Sequence, residues 1–369
     1  MTAGLSRILA GGAMLSVLLT QSGSTQQQAT ERINGDWPMY RRDHAGTGFS
    51  PLTQITTANV ANLARAWTYR LQSDASAPTA GTGGPGAVNS QVTPIVVNGV
   101  MYLPTANRVV ALEPESGKER WQHTVTGGAP SRRGLAYWPG EGGNLPRIIV
   151  AAGRRLIALD AQTGALAVGF GKQGEVDMVV PYNSVPLIYK NVVVVGANNP
   201  PGGGAAPGNA RAFDARTGAK LWEFNSVAQP GDVGHDTWEG DSWRNRSGAN
   251  AWPFYFTLDE RSGTLYIPLA SPIPGAYGGD RKGANLYGNS VVAVDAETGK
   301  YKWHFQTIHH DLWDADPPAP PGLFDIVQNG QSVPALGLTT KSGYLYILNR
   351  ETGQPIFGVE ERPVAKSDV

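Results

Sequence analysis

Five times along the chain an acidic residue is followed by Ser-Gly or Thr-Gly and, four positions beyond that glycine, by a large side chain. The copies are VVALEPESGKERW (Val109 to Trp121), LIALDAQTGALAV (Leu156 to Val168), ARAFDARTGAKLW (Ala210 to Trp222), VVAVDAETGKYKW (Val291 to Trp303) and LYILNRETGQPIF (Leu345 to Phe357). Their glycines, Gly117, Gly164, Gly218, Gly299 and Gly353, lie 47, 54, 81 and 54 residues apart. Self-similarity at such a period belongs to stacked sheet units such as propeller blades. Each copy reads as a hairpin: an apolar strand, a turn in which glycine takes positive φ, and a second strand beginning at the large residue. A Trp at a fixed offset suits a wedge against the next unit, because one blade cannot bury its own face. Val168 and Phe357 replace that Trp in two copies.

The intervals add detail. In the 81-residue interval TLYIPLA follows ERSG, so a sixth unit with insertions is expected there. Gln91 to Leu112 carries a Val-Asn-Gly-Val hairpin turn ahead of the first copy, and upstream a short helix is expected over about Thr57 to Leu63, then a strand carrying Trp67. With 47 Gly, 27 Pro and only 16% charged residues, the composition agrees with many strands joined by turns. Five to six blades are expected in an all-β propeller domain over residues 31–369, with four-stranded antiparallel blades docked through Trp.

The 30 basic and 30 acidic residues cancel, so nothing marks a nucleic-acid or polybasic membrane surface. Cysteine is absent, which removes disulfides, thiolate catalysis, Cys-ligated zinc and CxxCH haem attachment. Arg7 precedes an apolar run from Ile8 to Leu19 and then small polar residues, the pattern of an export signal cleaved between about Thr20 and Thr30. The run is short of the roughly 20 apolar residues a spanning helix needs. A periplasmic or secreted protein is expected, associated with a membrane, if at all, by means other than a spanning segment of the mature chain.

Chemistry concentrates between Trp303 and Lys341, where His304, His309, His310, Asp311, Trp313, Asp314 and Asp316 sit between two strand-like runs. Such a density suits a catalytic edge. It also suits turn carboxylates beside a solvated His pair, and composition leaves both readings open. The Gly-rich segments GTGGPGAVN and PPGGGAAPGN lack the strand and helix that flank a nucleotide cradle, and they read as loops.

Three blocks in order, DWPMYRRDHAGTGFSPLTQI (Asp36 to Ile55), GANAWPFYFTLDERSGTLYIPLASPIPGAYGGDR (Gly248 to Arg281) and HHDLWDADPPAPP (His309 to Pro321), resemble the dehydrogenases that use pyrroloquinoline quinone, the glucose dehydrogenase branch in particular. The resemblance runs from Asp36 to the end. It implies an eight-bladed propeller with the quinone on its axis, of which this chain carries the N-terminal blades and lacks the rest. It implies oxidation of a sugar, polyol or other alcohol, with electrons passed to a respiratory quinone or cytochrome.

The resemblance also assigns roles. Asp314 matches the base that removes the hydroxyl proton, and Lys341 the cation on the quinone oxygen. Asp316 is a second acid or a metal ligand. Calcium, or another divalent or trivalent cation, takes oxygen donors: Asn250 matches a ligand of the methanol dehydrogenase branch, and Asn198 or Asn199 falls where other branches place ligands. Trp252 is the expected aromatic floor of the quinone, with Trp238 second. Arg133 matches an Arg that meets the cofactor's acidic groups, and Gln91 stands where relatives often have Glu. His309 and His310 are expected to fix the loop bearing Asp314 by hydrogen bonding. The missing Cys excludes the adjacent-cysteine disulfide of the alcohol and methanol branches. Propellers with the same Trp repeats also serve as envelope scaffolds, which need the wedges but not Asp314 and Lys341, and an inactive fragment is the third reading.

Overall fold

The computed structural model describes residues 35–71, 91–199, 207–252 and 255–362. The export signal expected over residues 1–30 lies outside them. The described residues hold five antiparallel sheets, each a meander in chain order. The first is β1 (Ile95–Val97), β2 (Val100–Pro104), β3 (Arg108–Leu112) and β4 (Glu119–Thr124). The second is β5 (Ala136–Trp138), β6 (Arg147–Ala152), β7 (Arg155–Asp160) and β8 (Glu175–Asp177). The third is β9 (Leu187–Tyr189), β10 (Val192–Val195), β11 (Ala210–Asp214) and β12 (Lys220–Phe224). The fourth is β13 (Thr257–Asp259), β14 (Thr264–Leu269), β15 (Ser290–Asp295) and β16 (Tyr301–Gln306). The fifth has three strands, β17 (Gly322–Gln328), β18 (Gln331–Thr339) and β19 (Leu345–Asn349).

The middle strands are continuous apolar runs because both faces of each sheet are covered. In β6, Ile148, Val150 and Ala152 pack with the first sheet, while Ile149 and Ala151 face the third. In β15, Val292 and Val294 face the third sheet, and Val291 and Ala293 pack with Leu336, Leu338 and Leu348 of the fifth. The period of two thus sends alternate residues into two different cores.

The expected wedge is present. Trp67 lies against Gly117, Trp121 against Gly164, Trp222 against Gly299 and Trp303 against Gly353, each indole where a glycine Cβ would stand. Trp121 and Trp222 donate Nε1–H across the joint to the carbonyls of Ala161 and Ala296, both at 3.0 Å. The second repeat has Val168 in place of Trp, and there Gly218 meets Val176 and the backbone of Gly171 instead. The turns are locked by their own carboxylates: Asp160 accepts the N–H groups of Gln162 and Thr163, and Asp295 those of Glu297 and Thr298.

Three expectations are corrected. TLYIPL forms β14 and pairs with β15, so among the described residues the 81-residue interval adds a long connection between β12 and β13 and no sixth sheet. Its strand signal belongs to the inner half of the fourth sheet, because the repeat motif marks only the last hairpin of each unit. The helix expected from Thr57 to Leu63 shrinks to a 3-10 turn, Val60–Asn62, with no buried residue to hold a longer one. Residues 64–70 form no strand: Trp67 and Tyr69 lie against the first sheet as a side-chain contact without ladder partners. No helix among the described residues is long and apolar enough to cross a membrane.

Candidate active site

Most of the candidate residues sit on one edge of the stack. Gln91, Arg133, Trp252 and the Asp314 to Asp316 loop precede the first strands of the first, second, fourth and fifth sheets, β1, β5, β13 and β17. Lys341 and Asn199 follow the second strands β18 and β10. In an antiparallel meander the start of strand one adjoins the end of strand two, so these positions converge although Gln91 and Lys341 lie far apart in sequence.

A continuous contact path joins Gln91, Arg133, Trp252, the acid loop and Lys341. Arg133 donates Nε–H to Gln91 Oε1 at 3.0 Å and Nη1–H to Ser184 Oγ at 2.6 Å. Ser184, which precedes β9, in turn reaches the carbonyl of Trp252 at 3.5 Å. The Trp252 indole donates Nε1–H to Asp316 Oδ2 at 3.1 Å. Lys341 Nζ is 2.8 Å from both Asp314 Oδ2 and Asp316 Oδ1, and 5.5 Å from the centre of the Trp252 ring. The Lys341 backbone N–H also donates to the Asp316 carbonyl at 3.1 Å, which fastens the acid loop to the turn after β18. Ser184 went unnoticed in the sequence, because a lone Ser ahead of an apolar strand carries no local signal.

The two carboxylates differ sharply. Asp314 is exposed and adopts φ +55°, a left-handed conformation that Asp tolerates better than most residues. Asp316 is only 1% exposed, and that burial pushes its carboxyl above the ordinary range, against the pull of Lys341 and the Trp252 N–H. Partial burial alone would lower the Lys341 pKa, but hydrogen bonds and charges from Asp314 and Asp316 outweigh it and hold the ammonium above its usual value. Burial likewise lowers the Arg133 guanidinium pKa. Trp252 is half-buried, with the Lys341 ammonium over its ring.

The amide residues form a neighbouring group. Asn199 donates its backbone N–H and Nδ2–H to Asn250 Oδ1, at 3.3 and 3.1 Å. Gly208 lies so close to Asn250 that a Cβ would come within 2.4 Å of its Cα. Asn198 is engaged elsewhere: its Oδ1 accepts the Asn183 N–H at 3.1 Å. Among the described residues no three His, Cys, Asp or Glu side chains form a metal cluster.

Trp238 stands apart from this edge. It lies in the long connection before β13, buried in the main core, with Nε1–H given to the Leu286 carbonyl at 2.6 Å. The two histidines also bond away from the acids: His309 meets Gln306 and Glu361, and His310 meets the Gly283 carbonyl.

Residues 37–369 match the family described as PQQ: Glucose/ethanol/alcohol dehydrogenase, beta-propeller domain. The chain is 33% identical to quinoprotein glucose dehydrogenase A of Acinetobacter calcoaceticus, over 94% of this chain and 47% of the relative. It is 33% identical to the glycerol dehydrogenase large subunit of Gluconobacter oxydans, over 93% of this chain and 49% of that one. The crystal structure of quinohemoprotein alcohol dehydrogenase from Comamonas testosteroni superimposes with a TM-score of 0.74 at 29% identity, covering 89% of this chain and 50% of the other. The chain therefore spans about half the length of the curated relatives it matches. Sheet architecture, repeats and sequence agree that the chain belongs to the family of pyrroloquinoline quinone dehydrogenase β-propellers.

Proposed function

We propose that this chain carries the catalytic half-site of an exported dehydrogenase that oxidises a sugar, polyol or other alcohol with pyrroloquinoline quinone. The observation that supports this most is Lys341 between Asp314 and Asp316 above the ring of the half-buried Trp252. A scaffold needs its wedges but has no use for a buried acid paired to a loop lysine over an indole, so the enzyme reading is favoured.

The residues fit a flat, carboxylate-bearing quinone. Trp252 offers an aromatic face, Lys341 a cation above it, and Arg133 a second cation farther along the same path. When bound, the quinone supplies the acceptor for the hydride of the substrate C–H. Asp314, accessible at the loop tip, takes the hydroxyl proton as that bond breaks. Lys341 stays protonated through neutral pH, because its two carboxylates hold its pKa up, and so presents positive charge toward a quinone oxygen. Asp316 orients that ammonium from the buried side and accepts the Trp252 N–H, which fixes the floor.

A cation of the calcium class would take oxygens from Asn250, Asn199 and the acid loop, Asp314 or Asp316. Asp316 Oδ1 fits such a role: it is buried, and its one polar neighbour among the described residues is the Lys341 ammonium, 2.8 Å away. Asn198, already turned to the Asn183 N–H, contributes least. Electrons leave to a respiratory quinone or cytochrome, and export follows from the N-terminal apolar run. The test is a titration of the purified chain with calcium and the quinone, followed by dye reduction on a panel of sugars and alcohols. Stoichiometric uptake is expected, with turnover lost in Asp314→Asn. A folded chain that takes up no quinone would refute the reading.

A further inference from the structure

Asp314 sits at the tip of an exposed loop, and both it and His310 adopt positive φ, +55° and +49°. A loop bent through two left-handed L-residues holds one shape only if other bonds over-determine it. Beyond the contacts with Lys341 and Trp252, four such bonds end on one side chain. We propose that Asp311 is a positioning residue for the dehydrogenation described above, its buried carboxylate fixing the loop that carries Asp314 and Asp316. The proposal rests on that functional reading for its catalytic consequence and on geometry for everything else.

Asp311 is 2% exposed. Its Oδ1 accepts the Trp313 N–H at 3.0 Å, and its Oδ2 accepts the Ala315 N–H at 2.9 Å, so the two backbone donors flanking Asp314 end on one carboxylate. The same Oδ2 accepts Ser271 Oγ–H at 2.6 Å and Asn289 Nδ2–H at 2.9 Å, which tie it to the segments on either side of the fourth sheet's middle hairpin. Ser271 is also joined through its carbonyl to the Ala249 N–H at 2.9 Å, beside Asn250 and Trp252. Arg281, 0% exposed, donates Nη2–H to the Asp311 carbonyl at 2.6 Å and Nη1–H to Asn285 at 2.8 Å, and supplies a nearby counter-charge. Acid loop and Trp252 segment are therefore referenced to one buried point.

Four donors converge on this group, so it must be acceptor-only, which an ionised carboxylate is and an amide is not. Asp311→Asn keeps the volume but turns an NH2 toward the Trp313 N–H in one rotamer or the Ala315 N–H in the other. Trp313, 87% exposed, and the exposed Asp314 have no core packing to replace the lost bonds.

The test is amide hydrogen exchange, by NMR, on the full chain without cofactor or metal. In wild type the Trp313 and Ala315 amides are expected to be protected despite their exposed loop. In Asp311→Asn at least one should exchange more than tenfold faster, with the amides of β14 and β15 unchanged. Ser271→Ala, which removes one bond to the carboxylate without adding a donor, should shift the same amides a few-fold and serves if Asp311→Asn does not fold. On the quinone-loaded protein, Asp311→Asn should lower kcat at least tenfold and leave KM within twofold, since the change displaces the base and replaces no group placed on the substrate. Unchanged exchange at both amides, or equal acceleration across β14 and β15, would overturn the proposal. Wild-type protein without turnover would overturn the dehydrogenase reading alone, and the exchange result would still decide the role of Asp311.

Discussion

Three tryptophans show how little a residue type says until its burial is known. Trp238 fills the main core, Trp252 is half-buried beneath Lys341, and Trp313 stands in solvent. Trp238→Ala is expected to cost about 3–5 kcal/mol in urea unfolding, as a buried aromatic truncation does. Trp313→Ala should change stability by less than about 0.5 kcal/mol. Trp252→Ala should fall between them and be the one that weakens quinone binding by tenfold or more in a fluorescence titration. Asp316 gives a second prediction at this scale. Its folded pKa is raised above the ordinary 3.8 by burial, so it contributes stability below the unfolded value and loses it as pH rises through the folded one. Lys341→Met removes the cation that offsets this loss. The variant should be destabilised at pH 7 by about 1–3 kcal/mol, less than for a fully buried pair because Lys341 is one-third exposed. The gap should narrow as pH falls through the raised folded value toward 3.8, measured by chemical denaturation at several pH values.

At the scale of the strand and the turn, the repeat supplies its own controls. Gly299 has φ +71° with Trp222 at 2.7 Å from its would-be Cβ, while Gly99 has the same φ and nothing within 4 Å. Gly99→Ala should cost about 1–2 kcal/mol, the left-handed penalty alone. Gly299→Ala should cost at least about 1 kcal/mol more, the difference measuring the wedge in urea melts. The turn carboxylates Asp214 and Asp295 lose hydration on burial, but hydrogen bonds from Arg216 and Thr217, and from Thr298 and Glu297, outweigh it and hold both below 3.8. Groups with depressed folded pKa contribute stability above their unfolded value and lose it as pH falls through the folded one. Stability should therefore drop as pH is lowered past 3.8, and Asp295→Asn should flatten part of that drop in a pH series of thermal melts. These features could be read in advance because glycine, Thr and carboxylate act within a few residues of one another. The Trp67 strand could not, since a ladder needs a partner strand and none of the described residues supplies one.

For the whole molecule, the sheets are coupled through shared cores, with the second, third and fourth sheets contributing to one cluster. A ligand held by residues from several sheets should stabilise them together. Quinone with calcium at a hundredfold excess over Kd should add about 2.7 kcal/mol to unfolding. Asp314→Asn should lose turnover and show a smaller shift in calorimetry, because it removes the base and with it a charged oxygen donor on the acid loop. Sequence alone determined the repeated hairpins, their order and most of their joints, since a two-residue period and a turn glycine recur in every copy and a Trp at fixed offset in three of the five. The same locality misplaced TLYIPL in a separate unit, because pairing with β15 depends on residues distant in the chain, as does the burial of Trp238 in the main core. Only the tertiary structure decided which loops share an edge. It brought Gln91, Arg133, Ser184, Trp252 and Asp316 into one path and gave Asp311, rather than the adjacent histidines, the bonds that hold the acid loop. Those choices follow from antiparallel strands returning to the same edge and from the need of a buried carboxylate for donors, wherever in the chain they lie.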